Sequence, residues 1–348
     1  VRLPAHPSEP SYPCYLSILG ELAEVTPHGE SSTILNQPSQ GLNLHLINTY
    51  PQLHLDLTQR TKLDIVRQIF TSYVAIGDSL SEGLGDFSFL ERRVHSGWTD
   101  RLATLLAREA SLEGLDFKYA NLAIRGANIA AIMGSQLDRA LEMKPDLVTV
   151  MAGQNDFFCK PENMPELERV FREGIQKLLD AGCHVIVSNT INPIHLVVFR
   201  RLARLATTMT EMIERVAKEL NVPIHDVHRI DSLAEVRYWA EDMVHFSGPG
   251  HIKVANKAAE LLQLRYRQSE FDDCEIWVPK RGLVGTTRWL VIHVIPFMVR
   301  RARGVTAGDG MEPKLPELTS YKGIAMDFEP ALNYASAGKL SSEYLKAS

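Results

Sequence analysis

Residues 73–83 read YVAIGDSLSEG. The apolar run from Tyr73 to Ile76 is expected to be a buried strand, and Gly77-Asp78-Ser79 is expected to turn the chain into a helix. A serine at such a corner sits on the C-terminal edge of a sheet, where open α/β folds bind their ligands. Its own amide lies at a helix start, where donors lack an intrahelical partner. Taken alone, the tripeptide is equally well a turn with an N-cap. What it becomes depends on the residues that meet it from elsewhere in the chain.

Downstream, apolar runs alternate with amphipathic stretches. Strands are expected at 117–124, 147–152 (LVTVMA), 183–188 (CHVIVS) and 222–227, with helices at 97–110, 129–143, 167–181, 194–220 and 250–266. Short continuous apolar strands suit a parallel sheet buried on both faces. Five strands with helices between them predict an α/β fold with a doubly wound sheet and right-handed crossovers. The alternation begins near residue 72 and stops near 266, which bounds the expected domain.

Residues 1–71 are rich in Pro, Ser, Gln and His and hold no period, so a poorly structured extension is expected, apart from a short helix at 62–70. The chain begins with Val, and one expectation is that a valine start codon was read literally and natural translation begins nearer Tyr73. Peptides from residues 1–60 in mass spectrometry of the natural protein would sink that idea. Residues 267–348 form a C-terminal extension. Its apolar segment, 289–299 (WLVIHVIPFMV), is interrupted by Pro296 and followed by Arg300, Arg301 and Arg303. The segment from Trp289 to Arg303 reads either as a peripheral membrane anchor or flap, or as a helix packed back on the domain. Its shortness and Pro296 favour the second. Residues 305–348 are polar and read as a loosely attached tail.

Composition narrows the partners. The 348 residues are 45% hydrophobic and 23% charged, with 37 Lys and Arg against 42 Asp and Glu. No basic excess exists to neutralise phosphates, so nucleic acid is not an expected partner. Cys14, Cys159, Cys183 and Cys274 are scattered, with no zinc spacing, which suits reduced thiols and a cytoplasmic location. No leader-like apolar core opens the chain, and no apolar run approaches the roughly 20 residues that span a bilayer.

Three further places can answer Ser79. In 121–128 (NLAIRGAN), an expected strand runs out into Arg125-Gly126, where glycine permits close backbone approach. In 153–156 (GQND), directly after the LVTVMA strand, Asn155 can donate a side-chain amide at the same sheet edge. In 242–245 (DMVH), a carboxylate three residues before a histidine can reach its Nδ1 and leave the other nitrogen for a serine. Each block alone is also a plain turn, a cap or a surface pair.

The four blocks in this order closely resemble the GDSL-like family called SGNH hydrolases. The matching residues are Gly77-Asp78-Ser79-Leu80, Gly126, Gly153 with Asn155, and Asp242 with His245, within residues 72–266. More narrowly, GDSLSEG, GWTDRLA and AGDGMEPKLPEL look like a subgroup of actinobacterial intracellular members. The resemblance implies a flavodoxin-like three-layer α/β/α sandwich with a central five-stranded parallel sheet. It implies ester hydrolysis with Ser79 as nucleophile, His245 as general base and Asp242 as its orienting carboxylate. It also implies an oxyanion hole made of the Ser79 and Gly126 amides and the Asn155 side chain. No metal or other cofactor is expected.

The physical chemistry fits those roles, because a hydroxyl needs an adjacent base and the developing oxyanion needs fixed donors. His251 is expected to be structural. His225 and His228 flank a strand end on opposite faces, which argues against a shared metal. Trp98 and Trp239 are expected in the core or a pocket wall. There is no phosphate loop and no complete GxGxxG. The GxSxG elbow is also absent, which points away from the α/β-hydrolase fold.

Three other classes stay open: an acyltransferase using a sugar or alcohol acceptor, a silent binding module, and a nucleotide or phosphate binder. The pocket loops are expected at 81–96, 157–165 and 192–199. Phe157, Phe158, Ile194, Leu196 and Val197 lean the substrate towards short or medium acyl chains.

Overall fold

The computed structural model describes residues 68–86, 96–157, 159–192, 200–270, 285, 287–288, 290–303 and 305–331. The N-terminal extension through residue 67, the loop residues 87–95 and 193–199, Phe158, Cys14, Cys274 and Trp289 lie outside them.

Five strands pair in parallel: β1 (Ser72–Gly77), β2 (Lys118–Asn121), β3 (Leu147–Met151), β4 (His184–Ser188) and β5 (Ile224–His225). Their order is β5-β4-β3-β1-β2, the 2-1-3-4-5 arrangement of flavodoxin-like sheets. In register, Val74 of β1 lies between Ala120 of β2 and Val148 of β3. Every residue of β3 is buried, as a strand covered on both faces requires.

Helices cover both faces: α1 (Ser79–Glu82), α2 (Trp98–Leu112), α3 (Ile129–Ala131), α4 (Leu137–Met143), α5 (Met164–Asp180), α6 (Arg200–Glu219) and α7 (Gly248–Leu261). A wider turn over residues 132–136 joins α3 to α4. The twofold period of β1 divides the core between the layers. Tyr73 and Ala75 pack with Trp98, Leu102 and Leu106 of α2 and Val254 of α7. Val74 and Ile76 pack with Leu137, Phe171, Ile175 and Ile213 from α4, α5 and α6. Each such large apolar side chain withdrawn from water contributes about 1.5–3 kcal/mol. Trp98 and Trp239 are buried, as expected, and so is Cys183.

The sheet carries one strand more than the five expected. After β6 (Tyr266–Gln268), β7 (Leu315–Ser320) pairs antiparallel with β2, setting Lys118 opposite Ser320 and Tyr119 opposite Thr319. Residues 305–331 are therefore not a loose tail. They cover an edge that β2 would otherwise expose, which removes a row of unpaired backbone groups. β8 (Phe328–Pro330) then pairs with β6, whose first residue, Tyr266, the sequence placed at the end of the last helix. That helix ends at Leu261, and Gln263 turns the chain with a φ of +55°.

The apolar segment of the extension forms α8 (Ile295–Ala302), preceded by a wide turn, Leu290–Val294. Pro296 falls in the first turn of α8, where its missing N–H costs little. Val291, Ile292, Ile295 and Val299 are 56%, 48%, 53% and 41% exposed. These four side chains do not pack back on the domain as the favoured reading had them. Among the described residues, no helix is long and apolar enough to cross a membrane.

Candidate active site

β1 carries Gly77-Asp78-Ser79 to the C-terminal edge of the sheet. Gln136, in the turn between α3 and α4, grips this corner from both sides. Its Oε1 accepts from the Gly77 amide at 2.8 Å, and its Nε2 donates to the Gly77 carbonyl at 3.0 Å. Asp78 caps α1, its Oδ1 accepting from the Leu80 amide at 3.0 Å. Ser79 opens α1 and is half-buried. A residue in the first turn has no carbonyl four positions back for its amide.

β2 carries the second block. The Asn121 side-chain amide ties the end of β2 to α1 by donating to the Ser81 carbonyl at 2.9 Å. The Arg125 amide donates to Glu82 Oε2 at 2.7 Å, and its guanidinium pairs with the same carboxylate. Gly126 follows at a φ of +79°, a conformation that costs glycine no steric clash.

β3 carries the third. A single helical turn, Gln154–Asp156, projects the Asn155 side chain back across the sheet edge. Its Nδ2 donates to the Ala127 carbonyl at 2.9 Å and lies 3.5 Å from Asp78 Oδ2. One amide from the end of β3 thus touches the corners that follow β1 and β2. The strand order reverses between β1 and β3, which is where doubly wound sheets place ligands.

Asp242 and His245 come from a tight turn. Trp239 and Phe246 form an isolated bridge with ring centroids 5.2 Å apart, and the Ala240 amide donates to the His245 carbonyl at 2.8 Å. Met243 completes the turn at a φ of +60°. Asp242 Oδ1 accepts from the amides of Val244 at 2.9 Å and His245 at 3.0 Å, and Oδ2 lies 2.5 Å from His245 Nδ1. With Nδ1–H donating to the carboxylate, Nε2 of the neutral ring is the acceptor. The loop after α1 packs on this turn: a Cβ on Gly85 would lie 2.2 Å from the Phe246 carbonyl oxygen and 3.1 Å from His245 Cβ.

Two carboxyls here are driven in opposite directions. Burial works to raise Asp242, but the hydrogen bond and charge of His245, with two backbone amides, outweigh it and hold the group well below its ordinary value. Burial raises Asp78 to about 7, against the Leu80 amide and the charge of His245 and with help from Asp156.

The other histidines are engaged elsewhere. His251 Nδ1 accepts from the Trp98 amide at 3.1 Å and Nε2 donates to the Leu84 carbonyl at 3.0 Å, with burial lowering the ring to about 4. It ties the start of α2 to the loop after α1. His225 bonds Ser188 and the Val254 carbonyl, and His228 bonds the Thr190 carbonyl and Thr210. Among the described residues, no group of three or more His, Cys, Asp or Glu side chains could hold a metal ion.

A cavity of about 390 Å3 opens beside Asn155, lined chiefly by Asn128, Asp156, Asn163, Glu166 and Leu167. Polar side chains outnumber apolar ones along this wall, but apolar atoms contribute the larger share of its surface. Of the apolar wall suggested by the sequence, Phe157 is half-buried against the core, and Phe158, Ile194, Leu196 and Val197 lie outside the described residues.

Sequence reasoning missed Gln136 and Glu82. Both act by gripping backbone groups 59 and 43 positions away, and nothing in their own neighbourhood announces it.

A model of the GDSL-like lipase/acylhydrolase family matches residues 75–252, more than half of the chain. Among curated proteins, none matches the chain. Several solved structures are similar. A psychrotrophic esterase from a Pseudoalteromonas species is 16% identical, with a TM-score of 0.44, over 56% of this chain and 97% of its own. An acetylxylan esterase from Geobacillus stearothermophilus is 20% identical, with a TM-score of 0.46, over 55% of this chain and 94% of its own. An α/β hydrolase enzyme from the metagenome of Lake Arreo in Spain is 18% identical, with a TM-score of 0.46, over 56% of this chain and 95% of its own.

Proposed function

The chain belongs to the GDSL-like lipase/acylhydrolase family and is an ester hydrolase; on that premise we propose that it cleaves carboxylic esters through an acyl-enzyme on Ser79. The observation that carries this reading is the 2.5 Å contact between Asp242 Oδ2 and His245 Nδ1. A ring fixed by its Nδ1 presents Nε2 as a base.

In the proposed reaction, Ser79 Oγ attacks the ester carbonyl carbon while His245 Nε2 takes the hydroxyl proton. The tetrahedral intermediate collapses, and the imidazolium returns that proton to the departing alkoxide, releasing the alcohol. Water then attacks the acyl-enzyme, again giving its proton to His245. The second tetrahedral intermediate collapses, the imidazolium returns that proton to Ser79 Oγ, and the acid leaves. The oxyanion is held by the amides of Ser79 and Gly126 and by the Asn155 side chain. Ala127 fixes one N–H of Asn155 at 2.9 Å. The second N–H has only the long 3.5 Å contact with Asp78, too weak to compete with an anion.

Asn155→Ala tests the hole. The expected result is a fall of roughly 10² to 10³ in kcat with KM little changed, because the lost donor acts on charge that develops only in the transition state. A raised KM with unchanged kcat would refute the role. Product analysis with a sugar or alcohol acceptor present separates hydrolysis from acyl transfer.

The same reading assigns residues 72–266 to the hydrolase domain and residues 267–348 to an extension of it. It places the enzyme in the cytoplasm, in keeping with the unpaired thiols of Cys159 and Cys183. It also includes peripheral contact with anionic membrane through α8 and the residues flanking it, where exposed Val291, Ile292, Ile295 and Val299 adjoin exposed Arg300 and Arg303. Co-sedimentation with anionic vesicles, lost in Ile292→Asp and absent with neutral vesicles, is the expected outcome. Equal recovery of both proteins from both lipids would contradict it.

A further inference from the structure

The C-terminal extension reaches the proposed oxyanion hole from outside the sheet. Lys314, immediately before β7, is nearly buried. Its Nζ donates to the Glu82 carbonyl at 2.6 Å and to Asp100 Oδ2 at 2.5 Å. Glu82 is the last residue of α1, the helix that Ser79 opens. A cation on that carbonyl satisfies a helix-end acceptor, so Lys314 fixes the far end of the serine helix.

The Glu82 side chain continues the connection. Its carboxylate accepts from the Arg125 amide at 2.7 Å and from Nε at 3.0 Å. Arg125 directly precedes Gly126. The loop of residues 306–309 closes on the same corner from the other side. A Cβ on Gly308 would lie 2.3 Å from the Arg125 carbonyl oxygen and 2.4 Å from Ile124 Cγ2. A Cβ on Gly126 would lie 3.1 Å from Thr306 Cβ and 3.2 Å from the Ala307 amide nitrogen. The loop holds its own shape, with the Thr306 amide donating to Asp309 Oδ2 at 3.0 Å and the Thr306 hydroxyl to Oδ1. Pairing of β7 with β2 anchors the whole segment to the strand that ends in this corner.

We propose that Lys314 and the loop of residues 306–309 form a buttress that sets the separation of the two backbone donors of the hole, the amides of Ser79 and Gly126. The inference rests on the oxyanion reading given above. Lys314 and Gly308 are positioning residues, because neither touches the reacting atoms. Glu82 links the two halves of the buttress, as its carbonyl receives Lys314 and its carboxylate holds the Arg125 amide. A displacement of about 1 Å in such donors can cost about a hundredfold in rate.

The test compares Lys314→Met, Lys314→Arg, Gly308→Ala and Asn155→Ala with wild type in the full chain. The readouts are kcat and KM for p-nitrophenyl acetate, Ki for phenylboronic acid, and Tm. The boronate forms a tetrahedral adduct on an active serine and so reports on the hole separately from substrate binding. Lys314→Met and Gly308→Ala are expected to lower kcat by about tenfold to a hundredfold with KM within about twofold. Ki should rise in step with the loss in kcat/KM, and Lys314→Arg should recover part of the rate. If Asn155→Ala lowers kcat but both folded buttress variants keep theirs, the buttress is overturned and the hole stands. If Asn155→Ala also keeps its kcat, the oxyanion reading falls and the buttress falls with it. A lowered Tm with unchanged kcat and Ki means the segment only stabilises the fold, which also overturns the proposal. The two substitutions lie in separate contacts, so unfolding of one variant leaves the other to decide.

Discussion

Ser79→Ala lowers the rate of p-nitrophenyl ester hydrolysis by roughly 10⁴-fold or more. The size of the loss follows from what remains. The hole donors and the substrate contacts survive the substitution, but no group is left to form the acyl-enzyme, so only direct attack by water persists. Ser79 is half-buried at the start of α1, and removing one hydroxyl there disturbs neither core layer. The variant is therefore expected to melt within a few degrees of wild type. An acetyl-to-palmitoyl panel run on wild type also sizes the acyl pocket from its optimum. Retention of more than a tenth of the activity by the alanine variant would mean that another residue is the nucleophile.

Asp242→Asn is expected to lower kcat by about 10³ to 10⁴. An amide nitrogen facing Nδ1 would favour the opposite tautomer and put the proton on Nε2, where a base must accept one. The same substitution has a pH signature in stability. The native Asp242 carboxyl titrates well below its unfolded value, so unfolding takes up a proton in acid. Its contribution is present above about pH 4, the range of an unfolded Asp, and is lost as pH falls through the lower folded value. The gap in Tm between wild type and Asp242→Asn should therefore be fullest at neutral pH and close in acid. A variant within tenfold of wild type would mean that another group orients His245.

The sequence made the centre of the molecule legible because β1, β3 and β4 are continuous apolar runs covered on both faces. Such strands announce themselves without help from their partners. Asp242 and His245 were legible for a related reason: three-residue spacing within one turn sets their contact locally. β7 was not. Its six residues LPELTS are all half-buried or exposed, and they become a strand because the edge of β2 lies open beside them, a tertiary cause that no local pattern carries. The grip of Lys314 on Glu82 spans 232 positions, and the polar tail around it looks like linker when read alone. The polar side chains lining the cavity beside Asn155 were also missed, since the sequence drew attention to nearby phenylalanines rather than to Asn128, Asn163 and Glu166.

The most direct test of the serine mechanism is labelling with a fluorophosphonate probe, followed by peptide mass spectrometry, on wild type and His245→Ala. An activated serine displaces fluoride and keeps the phosphonyl group even when the natural ester is unknown. The expected result is a single adduct on the peptide containing Ser79 in wild type, strongly slowed in His245→Ala. An unlabelled wild type, or an adduct on another residue, would contradict the account.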